Sequence, residues 1–403
     1  MLPGLNYTKR CRKFSLLNKV YINIEDKNNR HIFSENGIKN IEMMIICIKI
    51  VFMSKFYNYP IFRIIQEIKL DKRLKRFLKI RGEIPSEGQI YEYLSRYSPD
   101  QYNNISNSFF KLFIKSNRNH KSDLIVDATP VACDINIVKK YMTPEKLEEL
   151  KLDMGYSSNT GFYIGFKVTV VLEKDSLCPV SVIIHSGAKN DSKIYEEVLQ
   201  ELKRRRLLRK KQVIYFDKGY YSIENYLMGI NEYNIIPVIF PRQYFSIEKL
   251  EARMSTRLDI FYDEKKLKQE KKLFLELTTT LYKKLKNWKK FKPIRGLIED
   301  FFKVCKDAFG LGKFHSFTQK SMRKNIYLCL LLSALVVQQG FKTKTQLQKL
   351  SEGIIDYNTT EPEKTIKSNK SKEKTENKKV GEETNLQSIL KVKIRKQVKL
   401  DYF

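Results

Sequence analysis

Two apolar runs that each stop on an aspartate constrain the fold of this 403-residue chain more than any other feature. Residues 124–126 lead to Asp127, and residues 213–216 lead to Asp217. A short apolar run of this kind is typical of a strand that is buried inside a sheet. In open α/β sheets, ligands bind at the carboxyl ends of such strands. We therefore expect a central sheet that presents both carboxylates at one edge.

The residues after each aspartate decide how specific this interpretation is. The string Ala128-Thr129-Pro130 predicts a sharp exit from the first strand, and Asp127 taken alone is also compatible with an ordinary turn residue. After Asp217 comes Lys218-Gly219-Tyr220, in which the glycine lets the backbone turn at once. The second run is therefore the more specific signal for a functional carboxylate.

A third carboxylate, Glu299, lies in an amphipathic stretch that we predict to be helical. Arg295, Glu299 and Lys306 fall at positions i, i+4 and i+11, which is one stripe of a helix. One carboxylate between two cations suits a metal ligand flanked by groups that hold phosphates. The alternative is a surface salt-bridge stripe, which contributes little to stability and leaves the two aspartates unexplained. Three carboxylates brought together can hold two Mg²⁺ ions, which activate a water or a 3′-hydroxyl against a phosphodiester.

The net charge of the chain points to a polyanionic partner. There are 76 Lys+Arg against 45 Asp+Glu, which gives a formal charge of +31. Self-repulsion of that size opposes a compact state, so DNA or RNA is the first partner to consider and an anionic membrane the second. The abundance of Lys, Ile and Asn is also compatible with AT-rich coding DNA, which leaves a compositional explanation open.

Cysteine, histidine and hydropathy patterns narrow the class of protein further. The six cysteines form no CxxC pair and the four histidines are scattered, so we expect neither disulfides nor a zinc site. The most apolar stretches, residues 43–53 and 326–337, are about half of the ~20 residues that a membrane span requires. We interpret both as buried core helices and expect a cytoplasmic, nucleoid-associated protein without a membrane partner.

The first 120 residues have a helical pattern. We predict helices over residues 38–56 and 61–80, and a third that starts at Ser86, because Ser86 and Gln89 fit a capping box. A basic helix, a turn and a capped helix suit a helix-turn-helix DNA-binding domain over residues 1–120. Any small helical bundle gives the same pattern, so that alternative stays open.

From residue 121 the pattern changes to strands alternating with helices, which predicts a mixed sheet with helices packed on it. The segment at residues 246–290 is highly charged and poor in Gly and Pro, and we interpret it as an insertion of mixed structure. We assign residues 121–345 to this domain and residues 346–403 to a low-complexity, Lys-rich tail that is disordered. The predicted elements are strands over residues 124–127, 161–172, 180–185, 213–217 and 235–240, and helices over residues 194–208, 294–308 and 321–340.

Together these motifs resemble the DDE transposases of bacterial and archaeal insertion sequences. One large group of them carries Tyr-(2)-Arg-(3)-Glu-(6)-Lys, and Arg295, Glu299 and Lys306 match its last three positions. Lys292 stands where that group has its tyrosine, so the tyrosine's role is not carried over.

The two aspartate motifs extend the resemblance, which covers roughly residues 120–340. Val126-Asp127-Ala128-Thr129 resembles the first motif of the family, and Asp217-Lys218-Gly219-Tyr220 resembles the second. The string Gly187-Ala188-Lys189-Asn190-Asp191, between a strand and a helix, is similar to the family's loop at that place.

The resemblance implies an α/β fold with an RNase H-like mixed sheet flanked by helices. It also implies an N-terminal helical domain and an insertion before the last catalytic helix. Asp127, Asp217 and Glu299 would be both catalytic residues and metal ligands, with Mg²⁺ as cofactor and Mn²⁺ as its substitute. The protein would bind double-stranded DNA at transposon ends and target, as a homodimer in the DNA complex, and would catalyse strand cleavage and strand transfer.

Several cationic and aromatic residues are candidates for binding DNA around these carboxylates. Trp288, the single tryptophan, lies in the basic run at residues 283–292 and is placed either to stack on an unpaired base or to pack onto the core. The predicted DNA- and phosphate-binding residues are Arg295, Lys306, Lys218, Tyr220 and Trp288.

Two other functions fit parts of the same pattern. A metal-dependent nuclease would share the fold and cut DNA without joining it. A non-catalytic, domesticated DNA-binding protein would keep the acidic residues only as structural groups. Loss of metal-dependent cutting on Asp127→Ala or Asp217→Ala separates the enzymes from the binding protein.

Overall fold

The protein is described from a computed structural model. The structure describes residues 12–116, 122–133, 153–157, 161–187, 189–241, 245–256, 265–312 and 318–342, with residues 143, 145, 345 and 346. All the described residues belong to one compact unit, within Met1–Ile355. The predicted tail therefore lies almost wholly outside the described residues and stays a prediction.

The amino-terminal part of the described chain is helical, as its sequence pattern predicts. The buried helix at its centre begins where the Asn40 side chain accepts a hydrogen bond from the Met43 amide, and ends at Asn58 in the left-handed conformation. Ser86 and Gln89 form the predicted capping box with both of its hydrogen bonds. The helices are α1 (Arg12–Glu25), α2 (Arg30–Glu35), α3 (Ile41–Tyr57), α4 (Ile61–Leu70), α5 (Lys72–Phe77), α6 (Glu87–Ser95) and α7 (Pro99–Ser116).

The prediction of one continuous helix over residues 61–80 is wrong. The chain breaks at Asp71, whose backbone is extended at φ −119° and ψ 107°, into α4 and α5. The Asp71 side chain accepts a hydrogen bond from the Arg73 amide and so caps the second helix. A capping aspartate inside an amphipathic pattern therefore converts one long helix into a sharp corner.

A mixed six-stranded sheet follows, which confirms the α/β class. Its strands are β1 (Leu124–Ala132), β2 (Asp153–Ser157), β3 (Gly161–Glu173), β4 (Pro179–Ser186), β5 (Val213–Phe216) and β6 (Ile236–Ile239). They are ordered β2-β3-β1-β5-β6, and β4 also pairs with β3. β1, β5 and β6 are parallel to one another, whereas β3 runs antiparallel to β1.

Helices cover the sheet and close the core. They are α8 (Asp191–Arg204), α9 (Ile223–Asn231), α10 (Ile247–Ser255), α11 (Lys265–Lys286), α12 (Trp288–Lys303) and α13 (Gln319–Gln338). Within the predicted insertion the described residues are helical rather than of mixed structure. α11 contacts β6 and buries Leu277, Leu281 and Leu285, so this segment packs on the sheet.

The carboxy-terminal helix α13 joins the two halves of the core. It is apolar around most of its surface, and it contacts α1, α3 and α7 of the amino-terminal part. From the same helix, the Lys324 ammonium donates to the Leu94 carbonyl at 3.2 Å, and Met322 lies against Cys133 at the end of β1. The helices before the sheet are therefore fixed to it by burial of apolar surface.

Two expectations from composition can be compared with the described residues. The five described cysteines are all buried and unpaired, as expected for small apolar core residues. No helix in the described ranges is both long and apolar enough to cross a membrane.

Candidate active site

Asp127 and Asp217 lie side by side because of the register between two parallel strands. β1 pairs with β5 from Leu124↔Ile214 to Val126↔Phe216, and each aspartate is the next residue along its strand. The sequence prediction of two carboxylates at one edge of the sheet is therefore matched by the register.

The prediction that β1 ends at Asp127 is wrong. The strand continues to Ala132, paired with β3, and Ala128, Thr129 and Pro130 remain inside that ladder instead of turning away. Asp127 marks the point where β1 leaves β5, since no further residue of β1 pairs with that strand. The apolar run of residues 124–126 therefore ends where the parallel pairing of β1 with β5 ends. It does not mark the end of β1 itself.

Glu299 reaches this edge from helix α12 through Arg295. The Arg295 Nε atom lies 3.2 Å from Asp217 Oδ1 and 3.3 Å from Glu299 Oε1. Neither approach has hydrogen-bond geometry, since Arg295 Nε and Asp217 Oδ1 are buried atoms without a hydrogen-bond partner in the described chain. The contacts are thus ionic, and the single positive charge of this guanidinium, one helical turn from Glu299, is shared between two of the three carboxylates.

The charge of Asp127 is the most perturbed in the site. Burial raises its pKa to about 7, and repulsion by the Asp217 carboxylate adds to this effect. The Ala128 amide donates to Asp127 Oδ1 at 2.8 Å, and this hydrogen bond and the nearby Arg295 charge act in the opposite direction. Two crowded carboxylates, one of which holds a proton near neutral pH, form an environment that favours an added cation.

The chemistry of these donor atoms suits a divalent cation, but their arrangement does not form a complete site. Oxygen ligands from carboxylates are those that Mg²⁺ and Mn²⁺ prefer, and Asp217 Oδ1 has no hydrogen bond that a metal would need to displace. In the described part of the chain, however, no three acidic, imidazole or thiol groups converge as a ready-made site. Arg295 separates Glu299 from the aspartates, and the Glu299 side chain is 47% exposed, which gives it room to rotate.

Asp191 is a site-adjacent acid that sequence reasoning did not assign a role. It is the first residue of α8, and its charge contributes to the raised pKa of Asp127. Lys167 on β3 holds it by donating to Asp191 Oδ1 at 3.0 Å and to the Lys189 carbonyl at 2.8 Å. The string at residues 187–191 was noticed, but only the fold brings its aspartate behind the Asp217 turn.

The turn after Asp217 is built against that acid. A Cβ atom on Gly219 would lie 2.7 Å from Asp191 Oδ2. The backbone of Gly219 does not adopt a positive φ, so glycine is required here for close approach and not for turning. The Asn225 side chain donates to the Tyr220 and Ser192 carbonyls, which ties the turn to α8.

The other predicted DNA-binding residues are placed differently from one another. Lys218 is exposed in the 3₁₀ turn at residues 218–220, beside the carboxylates. Tyr220 is fully buried, which makes it a packing residue that cannot reach a phosphate in this conformation. Trp288 begins α12 and is partly buried against the core, in line with the packing alternative.

Lys306 is not brought to the carboxylates. Helix α12 ends at Lys303, and residues 304–308 form a π-helical segment. A π turn rotates every later side chain relative to an α-helical stripe, so the spacing between Glu299 and Lys306 no longer places them on one side. Burial lowers the pKa of Lys306, and the nearby Asp307 carboxylate acts in the opposite direction.

The position where the resembling group has tyrosine is at the surface. Lys292 is exposed on α12. Its neighbour Phe291 packs against Tyr215 with 6.0 Å between ring centroids, and the Lys284 ammonium lies 4.6 Å from the Phe291 ring centroid. Phe291 is therefore occupied in anchoring α12 to β5 and does not replace the tyrosine.

The sequence model of the family described as "Transposase DDE domain" matches residues 118–335, more than half of the chain and the whole of the site described above. A search of curated proteins gave no match.

Proposed function

The chain belongs to the Transposase DDE domain family, and from this premise we propose that it binds the terminal repeats of its own insertion sequence and catalyses DNA strand cleavage and strand transfer. The observation that carries the proposal is the register that puts Asp127 and Asp217 next to each other, with Arg295 linking Asp217 to Glu299. A structural role for these carboxylates would not explain why two acids are crowded at one sheet edge at a cost in repulsion.

In this proposal Asp127, Asp217 and Glu299 hold two Mg²⁺ ions, for which Mn²⁺ can substitute. Bound metal ions at such a site supply charge neutralisation and activation of an oxygen nucleophile for in-line displacement at phosphorus. Asp127 would serve as a ligand in its carboxylate form, which the Ala128 amide orients through its hydrogen bond. Glu299 would complete the ligand set.

In this proposal Arg295 has two roles. Without metal its guanidinium lies between Asp217 and Glu299 and partly offsets their charge. Once the carboxylates are engaged elsewhere, the guanidinium is free to hold a phosphate of the bound strand, for which its planar set of donors is suited. Lys218, exposed beside the site, is the second candidate for a phosphate contact.

We further propose the domain organisation that the sequence predicts, with a helical DNA-binding part before residue 121 and a catalytic domain after it. The three parallel strands, the antiparallel β3 and the helices on the sheet support an RNase H-like assignment. Arg295 and Glu299 support membership of the group with the Tyr-Arg-Glu-Lys signature, although Lys306 is turned away and Lys292 replaces the tyrosine. A homodimer would hold two DNA ends together for joining.

The test is cleavage and joining of a duplex that carries the flanking sequence of the gene, in Mg²⁺ and in Mn²⁺. We expect the wild type to nick at the repeat boundary and to join the freed 3′ end to a target, and Asp217→Ala to lose both reactions. The matched control is Asp175→Ala, which removes an exposed aspartate between β3 and β4 that pairs only weakly with Lys174 at 3.8 Å. Cutting without joining would favour a nuclease, and binding without cutting in either metal would sink the enzymatic proposal.

A further inference from the structure

The corner between α4 and α5 carries the most concentrated positive charge in the described amino-terminal helices. From residue 61 to residue 81 the sequence has eight cations and two acids. Five of those cations are exposed and form no ion pair within the described part of the chain. We call these five the basic corner: Arg63, Lys69, Lys72, Arg76 and Arg81.

The two acids of this stretch do not neutralise that surface. Glu67 is buried, 5% exposed, on the inner side of α4. Asp71 is engaged in capping α5, and its carboxylate pairs with Arg73 at 2.7 Å. The positive potential of the basic corner is therefore left to act on the solvent side.

Large apolar side chains stand among these cations. Leu70 is 79% exposed and Phe62 is 55% exposed, although most side chains of their size in this chain are buried. On α4, Phe62 and Lys69 lie on one stripe at i and i+7, and Arg63 and Leu70 lie at the same spacing on the neighbouring stripe. A surface shaped only for solubility gains nothing from exposed leucine and phenylalanine, so the mixture indicates a contact surface.

Helix α6, the second helix of the predicted helix-turn-helix, presents a different surface. Its exposed residues include Tyr91 and Glu92, and Glu92 pairs with Arg96 at 2.7 Å. The exposed face of α6 therefore carries no net positive charge to attract a phosphate backbone.

We propose that the basic corner, and not α6, is where the amino-terminal helices hold double-stranded DNA, through contacts from its five cations to the phosphate backbone. This inference rests on the proposed function and names the surface that serves it. The break at Asp71 turns α5 away from the line of α4, so the cations of the two helices approach the duplex from two directions. Leu70, at the apex of the corner, packs against the sugar edge that those contacts bring close.

The experiment measures binding of the full-length protein to a fluorescent duplex that carries the flanking sequence, in EDTA, from low to physiological salt. The test variant is Lys69→Gln, Lys72→Gln and Arg76→Gln together. The matched control is Lys249→Gln, Lys268→Gln and Lys272→Gln, which removes the same charge from exposed positions of α10 and α11. Each lost phosphate contact lowers the slope of log affinity against log salt by about 0.9, so the test variant is expected to lose about 2 to 3 and the control much less.

Two further variants keep the result interpretable. Exchanging the charges conservatively, as Lys69→Arg, Lys72→Arg and Arg76→Lys, is expected to keep the wild-type slope, which shows that charge and not helix stability is responsible. Tyr91→Ala on α6 is expected to leave binding unchanged. Equal slopes for the test and control variants, or a larger loss on Tyr91→Ala, would overturn the inference while DNA binding by the wild type still stood. A wild type that fails to bind the duplex at all would instead overturn the proposed function.

Discussion

The carboxylate edge of the sheet is acidic and partly buried, whereas the basic corner is positively charged and exposed. At the edge, Asp127 and Asp217 are crowded together and half-buried, and Arg295 supplies a nearby counter-charge. At the corner, Lys72 and Arg76 stand in solvent without such a partner. Buried charge is sensitive to single neighbours and to pH, whereas exposed charge is summed over many groups and screened by salt. The two regions should therefore respond to different perturbations.

Removing one carboxylate is expected to have the largest effect, and only on the edge. Glu299→Gln should abolish cleavage, because an amide is a poor substitute for a charged metal ligand, while binding of the DNA ends is retained. The matched control is Asp300→Asn, the next residue of α12, whose carboxylate lies 3.4 Å from the Lys303 ammonium and not at the site. Cleavage and filter-binding assays on the same preparations separate the two effects. Retained cutting by Glu299→Gln would move the third ligand elsewhere.

Raising the salt concentration should act mainly on the corner. For six to ten phosphate contacts, affinity for duplex DNA is expected to fall about 10³- to 10⁵-fold between 50 and 200 mM salt, through counterion release. Binding of Mn²⁺ to the free protein, followed by calorimetry over the same range, is expected to change far less, because the edge is partly shielded from the ionic atmosphere. A flat salt response of DNA binding would contradict a nucleic-acid partner altogether.

Changing the pH should act mainly on the edge. Since the pKa of Asp127 is raised to about 7, a proton competes with a cation for this carboxylate below that value. The apparent affinity for Mn²⁺ is expected to rise about tenfold for each pH unit up to 7 and then to level off. Asp127→Asn should remove this dependence, and a pH-independent affinity in the wild type would argue against Asp127 as a ligand.

The same raised pKa has a consequence for stability without metal. The folded chain holds the Asp127 proton more tightly than the unfolded chain, whose carboxyl has its usual value of 3.8. This contribution to the free energy of unfolding is present below that value and is lost as pH rises through about 7. In EDTA, the melting temperature should fall less between pH 3.8 and about 7 for Asp127→Asn than for the wild type.

The smallest expected effect concerns the turn at Gly219, which packs against Asp191 beside the carboxylate edge. Gly219→Ala should lower the free energy of unfolding by about 1 to 3 kcal/mol, because the added methyl group meets the Asp191 carboxylate that Lys167 holds in place. Adding Asp191→Ala should recover part of this loss by making room, which a double-mutant cycle in urea measures. Simple additivity of the two changes would show that the close approach does not constrain the turn.

The features of the site that could be predicted from the sequence are those that depend on a few neighbouring residues. The run at residues 213–216 predicted a buried strand over residues 213–217, and β5 is that strand, one residue shorter. The spacing of Arg295 and Glu299 predicted that they share one face of a helix, and the structure places Arg295 Nε 3.3 Å from Glu299 Oε1. The strand order could not be predicted in this way, because the pairing of β1 with β5 joins residues about ninety positions apart.

Each wrong prediction concerned a residue whose local sequence is compatible with two different structures. Asp71 could continue an amphipathic helix or cap a new one, and the structure uses it as a cap. Pro130 could end a strand or lie within one, and β1 passes through it. Lys306 matched the signature by its position, but it lies inside the π-helical segment at residues 304–308, where side chains no longer follow the stripe of an α-helix. In each case the local pattern was compatible with both outcomes and tertiary packing selected one.

By itself, therefore, the sequence determined the class of fold, the family and the two aspartates that follow apolar runs, because apolar runs and helical spacing act over a few residues. The tertiary structure alone decided that Arg295 lies between Asp217 and Glu299, that Asp191 supports the turn at Gly219, and that Tyr220 is buried. It also bent one predicted helix into the basic corner. These features depend on which distant surfaces meet when the core closes, and that is fixed by close packing of the whole unit and not by any short stretch of chain.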